Sequence, residues 1–150
     1  MLPVGYNSNL QFVQGPGYVV VIQEMIHNAR VIPVDGRSHL GRGVQQLGGD
    51  SRGHWEGNTL VVEVTNFTDR TNFRGSSAAL TVTERFTPID PDTIKYEFTV
   101  DDPTTWARPW SGEYTMSRTN DPIYEYACHE GNYGLANILR AQRLAEQQGK

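Results

Sequence analysis

The sequence predicts an all-β fold. The expected architecture is an antiparallel up-and-down barrel, lipocalin-like, of about eight or nine strands followed by one C-terminal helix. Three observations carry this expectation. Apolar and polar residues alternate with period two through most of the chain. The patterned segments are separated by turns rich in Gly, Pro, Asn and Asp. No strand–helix–strand rhythm occurs, and helical spacing appears only near the end. A closed barrel also removes exposed strand edges and, at eight strands, leaves room for one small ligand.

Leu80 to Val100 shows the alternation most clearly. One face carries Leu80, Val82, Glu84, Phe86, Ile94, Tyr96, Phe98 and Val100, and the other is polar. A break at Pro88-Ile89-Asp90-Pro91-Asp92 supplies turn chemistry, so the stretch reads as a hairpin. Glu84 is the exception on the apolar face. A carboxylate there must be paired, protonated or beside a wet cavity, because an unpaired buried charge is very costly. Two readings follow: a structural salt bridge or water-open edge, or a functional carboxylate inside a barrel or cleft.

The other elements follow from the N-terminus. Leu10 to Gln14 is a short strand closed by Gly15-Pro16-Gly17. Tyr18 to His27 contains a Val-Val-Val-Ile run, which suits a central strand. On a regular strand Glu24 and His27 point to opposite sides. Ala29 to Val34 forms the next strand. The glycine-rich stretch from Arg37 to Gly53 reads as a long loop with one helical turn near Val44 to Leu47. Gly53 to Phe67 is a hairpin about Gly57-Asn58, with Leu60, Val62 and Val64 inward and Asn66 continuing that face toward Glu84. Thr68 to Ala79 is a second loop, in which Arg74-Gly75-Ser76-Ser77 is a weak anion-cradle pattern. Trp106 and Trp110 lie among prolines and read as an aromatic plug for the core or a ligand stack. Gly112 to Arg118 and Ile123 to Glu130 form a last hairpin. The helix over 133–147 has Asn132 as N-cap and packs its leucine stripe on the sheet or on a second subunit.

The chain of 150 residues suits one domain spanning 1–150. Its net charge of -4 gives no basic field for nucleic acid, and no apolar run approaches a membrane span. Cys128 is the single cysteine, so neither an intramolecular disulfide nor a cysteine-rich zinc site is available. Its side chain is expected to be a small buried thiol, pointing away from His129. MLPVGYNSNL has neither a basic n-region nor an apolar h-region, so no signal peptide is expected there. The turn-like start fits a fragment of a longer protein.

No strong catalytic motif occurs: no phosphate loop, no nucleophile elbow and no His-Glu-x-x-His pair. What remains is four histidines, three of them near acids in sequence. His27 and His129 lie at strand ends and would meet at one mouth of a barrel, where Glu84 adds a third ligand for zinc or another divalent metal. In the metal-free version His27 or His129 exchanges protons, Glu84 orients it or acts as base, and Arg74 steadies a developing anion. Asn66, Tyr96, Trp110 and Tyr124 are the candidate substrate contacts. The alternative is four unrelated histidines in ordinary hydrogen bonds.

Four stretches, 24–37, 49–75, 84–106 and 122–139, resemble an uncharacterised family of exported bacterial proteins of soil proteobacteria and acidobacteria. The resemblance covers most of the chain and brings no assigned activity. It implies longer relatives with an extra N-terminal portion and a periplasmic or secreted location for them. The functional expectation is a small barrel hydrolase, metal-assisted or not, acting on an ester or phosphoester. The alternatives are a lipocalin-like binder of small apolar ligands, warranted by the aromatic load, and an interaction domain dimerising through its helix. Each takes a small molecule or a second copy as partner, with neither nucleic acid nor membrane.

Overall fold

The computed structural model describes residues 7–71, 73–127, 129–131 and 133–149. The chain forms two antiparallel sheets and one C-terminal helix. The first sheet is a three-stranded meander of β1 (Leu10–Gly15), β2 (Tyr18–Gln23) and β3 (Asn28–Pro33). The second is a five-stranded meander of β4 (Asp50–Glu56), β5 (Thr59–Thr65), β6 (Thr81–Asp90), β7 (Thr93–Asp101) and β8 (Trp110–Ser117). Helix α1 runs Gly134–Gln147. Each strand pairs with its neighbour in sequence, as short turns between alternating segments dictate. Among the described residues, ladder hydrogen bonds join neither β3 to β4 nor β1 to β8, so no closed barrel forms among them and the strands stand as two sheets.

Register places the apolar alternation in rows across the five-stranded sheet. Leu60, Phe86, Tyr96 and Tyr114 are successive partners in one row. Gly53, Val62, Glu84, Phe98 and Gly112 form the next. Ser51, Val64, Val82, Val100 and Trp110 form a third. This face meets Val19, Val21 and Ile32 of the three-stranded sheet in a single apolar cluster. Phe12 of β1 reaches Phe86 of β6 edge-on, with ring centroids 5.3 Å apart. Burial of these side chains is what holds the sheets together.

Two glycines in the Glu84 row make room for that contact. A Cβ on Gly53 would lie 2.9 Å from Ile32 Cγ2 and 3.0 Å from Val34 Cγ1. One on Gly112 would lie 2.6 Å from the Phe98 ring. Glycine at the first lets β3 approach β4, and at the second lets an aromatic ring lie over the backbone.

Several elements depart from the sequence expectation. The strand from Tyr18 stops at Gln23, and Met25–His27 forms a 3₁₀ turn in which Ile26 and His27 take positive φ (63° and 52°). The residues at 44–47 form no helical turn. Gln46 instead makes an isolated parallel bridge to Phe67. β6 continues through Pro88 and Ile89, with a register shift between Pro88 and Asp90 that lets the ladder pass a residue without an N–H. The described part of the expected strand 123–130 is not in a sheet. The helix begins near the expected position, but no residue of α1 is buried. Its leucine stripe, Leu135, Ile138, Leu139 and Leu144, stays exposed rather than packing on the sheet. Cys128 and the N-cap Asn132 lie outside the described residues.

Filling the close approach at β4 should be costly. Gly53→Val is expected to lower stability by about 1–3 kcal/mol through overpacking against Ile32 and Val34. A urea unfolding curve checks this, and an unchanged midpoint would contradict it.

Candidate functional site

Glu84 sits at the centre of the interior, 1% exposed, in the middle of β6. Alternation on that strand turns it inward, as the sequence requires, and among the described residues Arg30 and Tyr96 meet it there. Arg30 of β3 donates from Nη1 to Oε2 at 2.5 Å, across the gap between the sheets. The Tyr96 hydroxyl of β7 donates to Oε1 at 2.8 Å. Burial works to raise the Glu84 pKa, but positive charge beside it, led by the Arg30 guanidinium, outweighs burial and holds the carboxyl below the usual range. Burial raises the Tyr96 phenol in turn, and the neighbouring carboxylate adds to that. Tyr96 is therefore a fixed hydrogen-bond donor and Glu84 a fixed acceptor. A carboxylate so engaged is a weak base.

Arg30, Glu84 and Tyr96 line two hollows, one on either side of them. The first, about 820 Å³, opens between the start of β1 and the end of β8, with Phe12, Phe86, Ile94, Tyr114 and Met116 in its wall. The second, about 830 Å³, lies toward the start of β4, with Val64, Phe67, Phe73, Leu80 and Val100. Both fall in the usual range for small-molecule sites, roughly 300–1,000 Å³. The second is the more apolar, for the wall of the first also carries Gln11, Gln23, Asp90, Asp92 and Arg118.

The rims are tied down by polar contacts. Glu24, 3% exposed, accepts from Asn7 Nδ2 at 2.6 Å, from Asn9 Nδ2 at 3.0 Å and from the Tyr124 backbone N–H at 3.2 Å. The bonds from Asn9, then Asn7, then Tyr124 lower its pKa. His27 Nε2 accepts the Tyr126 backbone N–H at 2.8 Å. Glu24 and His27 thus hold the same stretch of chain after β8. Asp102, fully buried, accepts from the Ser77 N–H at 2.6 Å and from the Thr104 and Thr105 hydroxyls at 2.8 and 2.9 Å. Burial opposes its ionisation, but these bonds, led by the Ser77 N–H, keep its pKa well below normal.

Of the residues singled out from sequence, Glu84 and Tyr96 come together and the rest do not join them. His27 and His129 are exposed and line neither hollow. Among the described residues, no three His, Cys, Asp or Glu side chains are grouped to hold a metal ion, so His27, His129 and Glu84 do not converge. Arg74 is exposed at φ 50° in its loop and lines neither hollow. Asn66 does not look toward Glu84. At φ 57° it turns aside, and its Nδ2 donates to Leu40 O at 2.9 Å, pinning the long loop. Trp110 stacks on Phe73 at 6.2 Å and meets Phe98 and Trp106 edge-on, which makes it part of a plug behind the second hollow. Tyr124 has its ring exposed and contributes its backbone to Glu24.

Sequence reasoning missed Arg30. The signal was available: it is the one charged residue on the face of β3 shared by Ile32 and Val34, as Glu84 is on β6. No protein-family model, curated protein or solved structure matches the chain.

Arg30→Met should destabilise the protein by about 3 kcal/mol at neutral pH, because it takes the guanidinium from a buried carboxylate. The Glu84 pKa is lowered on folding, so its stabilising contribution is full above the unfolded value and disappears as pH falls through the folded one. The gap between wild type and variant should therefore narrow below pH about 4. Denaturant titrations across pH check this, and a gap that is constant or widens in acid would contradict it.

Proposed function

We propose that the chain is a binding module that takes one small, largely apolar molecule between its sheets, with the two sheets acting together as an open, barrel-like cup. The observation carrying this is the pair of hollows that share the hydrogen-bonded Arg30–Glu84–Tyr96 group in their walls. The aromatic and aliphatic parts of their walls favour an apolar body, and Arg30, Glu84 and Tyr96 among the polar lining give a fixed point for orientation. The hydrolase reading needs a histidine facing Glu84 or a set of metal ligands. Here the Glu84 oxygens engage Arg30 and Tyr96, and the histidines lie on the rim or the outer face. Binding is therefore the reading that the geometry supports better.

The neutral fluorophore N-phenyl-1-naphthylamine tests it. Saturable one-site binding is expected, with a Kd on the order of micromolar for an apolar molecule of that size. Val82→Trp fills the second hollow and Met116→Trp the first. One of the two should abolish binding while the thermal midpoint stays near wild type. An unsaturable signal, or full binding by both folded variants, would sink the reading.

A further inference from the structure

We infer that the second hollow is built to hold the neutral hydrogen-bond acceptor of an otherwise apolar molecule, a ketone, ester or amide carbonyl, between Arg30 and Ser51. The inference rests on the binding reading above and adds the chemical class of the ligand.

Ser51 carries the first half of the argument. It lies in the inward row of β4 with Val64 as its partner on β5, and it is 5% exposed. Its Oγ is buried and has no hydrogen-bond partner among the described residues. A buried hydroxyl without a partner is costly, and a sheet interior could as well carry Ala or Val there. Ser51 lines the second hollow together with Arg30. The hydroxyl therefore has an O–H to donate to whatever enters.

Arg30 carries the second half. Its Nη1 is committed to Glu84, and its remaining N–H groups take no partner among the described residues. The side chain keeps 15% exposure and lines the second hollow. A guanidinium is planar and always charged, and one fixed on one edge presents the others rigidly. Two donors, one from β3 and one from β4, suit the two lone pairs of a carbonyl oxygen.

Charge selects the neutral acceptor over an anion. Glu84 and Asp50 both line this hollow, so an entering carboxylate would meet carboxylates in low dielectric. A carbonyl keeps both donor bonds without that repulsion. The apolar part of the remaining wall, Val64, Phe67, Phe73, Leu80 and Val100 among it, suits an aliphatic or aromatic body.

Three matched probes test the inference on the full chain by displacement of N-phenyl-1-naphthylamine: methyl heptyl ketone, nonane and nonanoate. The ketone should bind about tenfold more tightly than nonane, the increment expected for a well-made hydrogen bond to a charged donor. Nonanoate should bind less tightly than the ketone. Ser51→Ala should lose most of the ketone's advantage, leave nonane unchanged, and show an equal or higher thermal midpoint without ligand. A residue kept for structure alone would lower that midpoint. Ketone and nonane binding alike would overturn the inference and leave the binding reading standing, with the Ser51 hydroxyl served by water only. Nonanoate binding more tightly than the ketone would overturn it too, as would wild-type ketone affinity in Ser51→Ala. Binding of none of the three would remove both readings together.

Discussion

Among the described residues, the Arg30–Glu84 pair is the contact between opposite charges that crosses the interior from the first sheet to the second. Its partners sit on β3 and β6, strands of different sheets that share no ladder. Apolar packing presses the sheets together but is indifferent to direction. A charge-assisted hydrogen bond of 2.5 Å between a 1% exposed carboxylate and a guanidinium is not indifferent. It fixes which residue of β3 faces which residue of β6. Most of the desolvation penalty for two ions is offset only when geometry is good, so the pair gives position more than net stability. Position is what a cup needs, because the pair also stands between the two hollows.

The rims follow the same logic with weaker groups. Glu24 gathers Asn7, Asn9 and Tyr124, residues far apart in sequence, at one mouth. Asn66 and the Gln46–Phe67 bridge hold the long loop against the end of β5 at the other. Outside, Asp50 joins His39 at 2.8 Å and Arg52 at 2.6 Å, which gives that loop a second anchor. Backbone donors and short polar side chains do the fixing, so the rims are positioned without spending apolar surface that the interior uses.

The strands were legible because alternation with period two is a local property. The faces of β5, β6 and β7 came out as read, as did the Gly57-Asn58 and Gly15-Pro16-Gly17 turns and the terminal helix. Errors arose where a distant contact overrode local pattern. Tyr18 to His27 breaks at Gln23 because Glu24 is taken by Asn7 and Asn9, a competition that composition does not reveal. Asn66 continues an apolar alternation on paper, but it leaves the strand at positive φ to bond three carbonyls of the loop. Glu84 was visible as an anomaly because it interrupts a strong pattern. Arg30 was not, since a single arginine in a short strand looks like an ordinary solvated residue. Glu84 is salt-bridged, as one reading of the sequence has it, and it also lines a cavity.

The mutual dependence of Arg30 and Glu84 is most directly measured by a double-mutant cycle on stability. The four proteins are wild type, Arg30→Met, Glu84→Gln and the double variant, unfolded in urea at neutral pH. Residues joined as these are should couple by about 1.5–3 kcal/mol, with the double variant far less damaged than the sum of the singles. A coupling energy within about 0.3 kcal/mol of zero would mean that the two side chains do not meet, and the interior described here would have to be rebuilt.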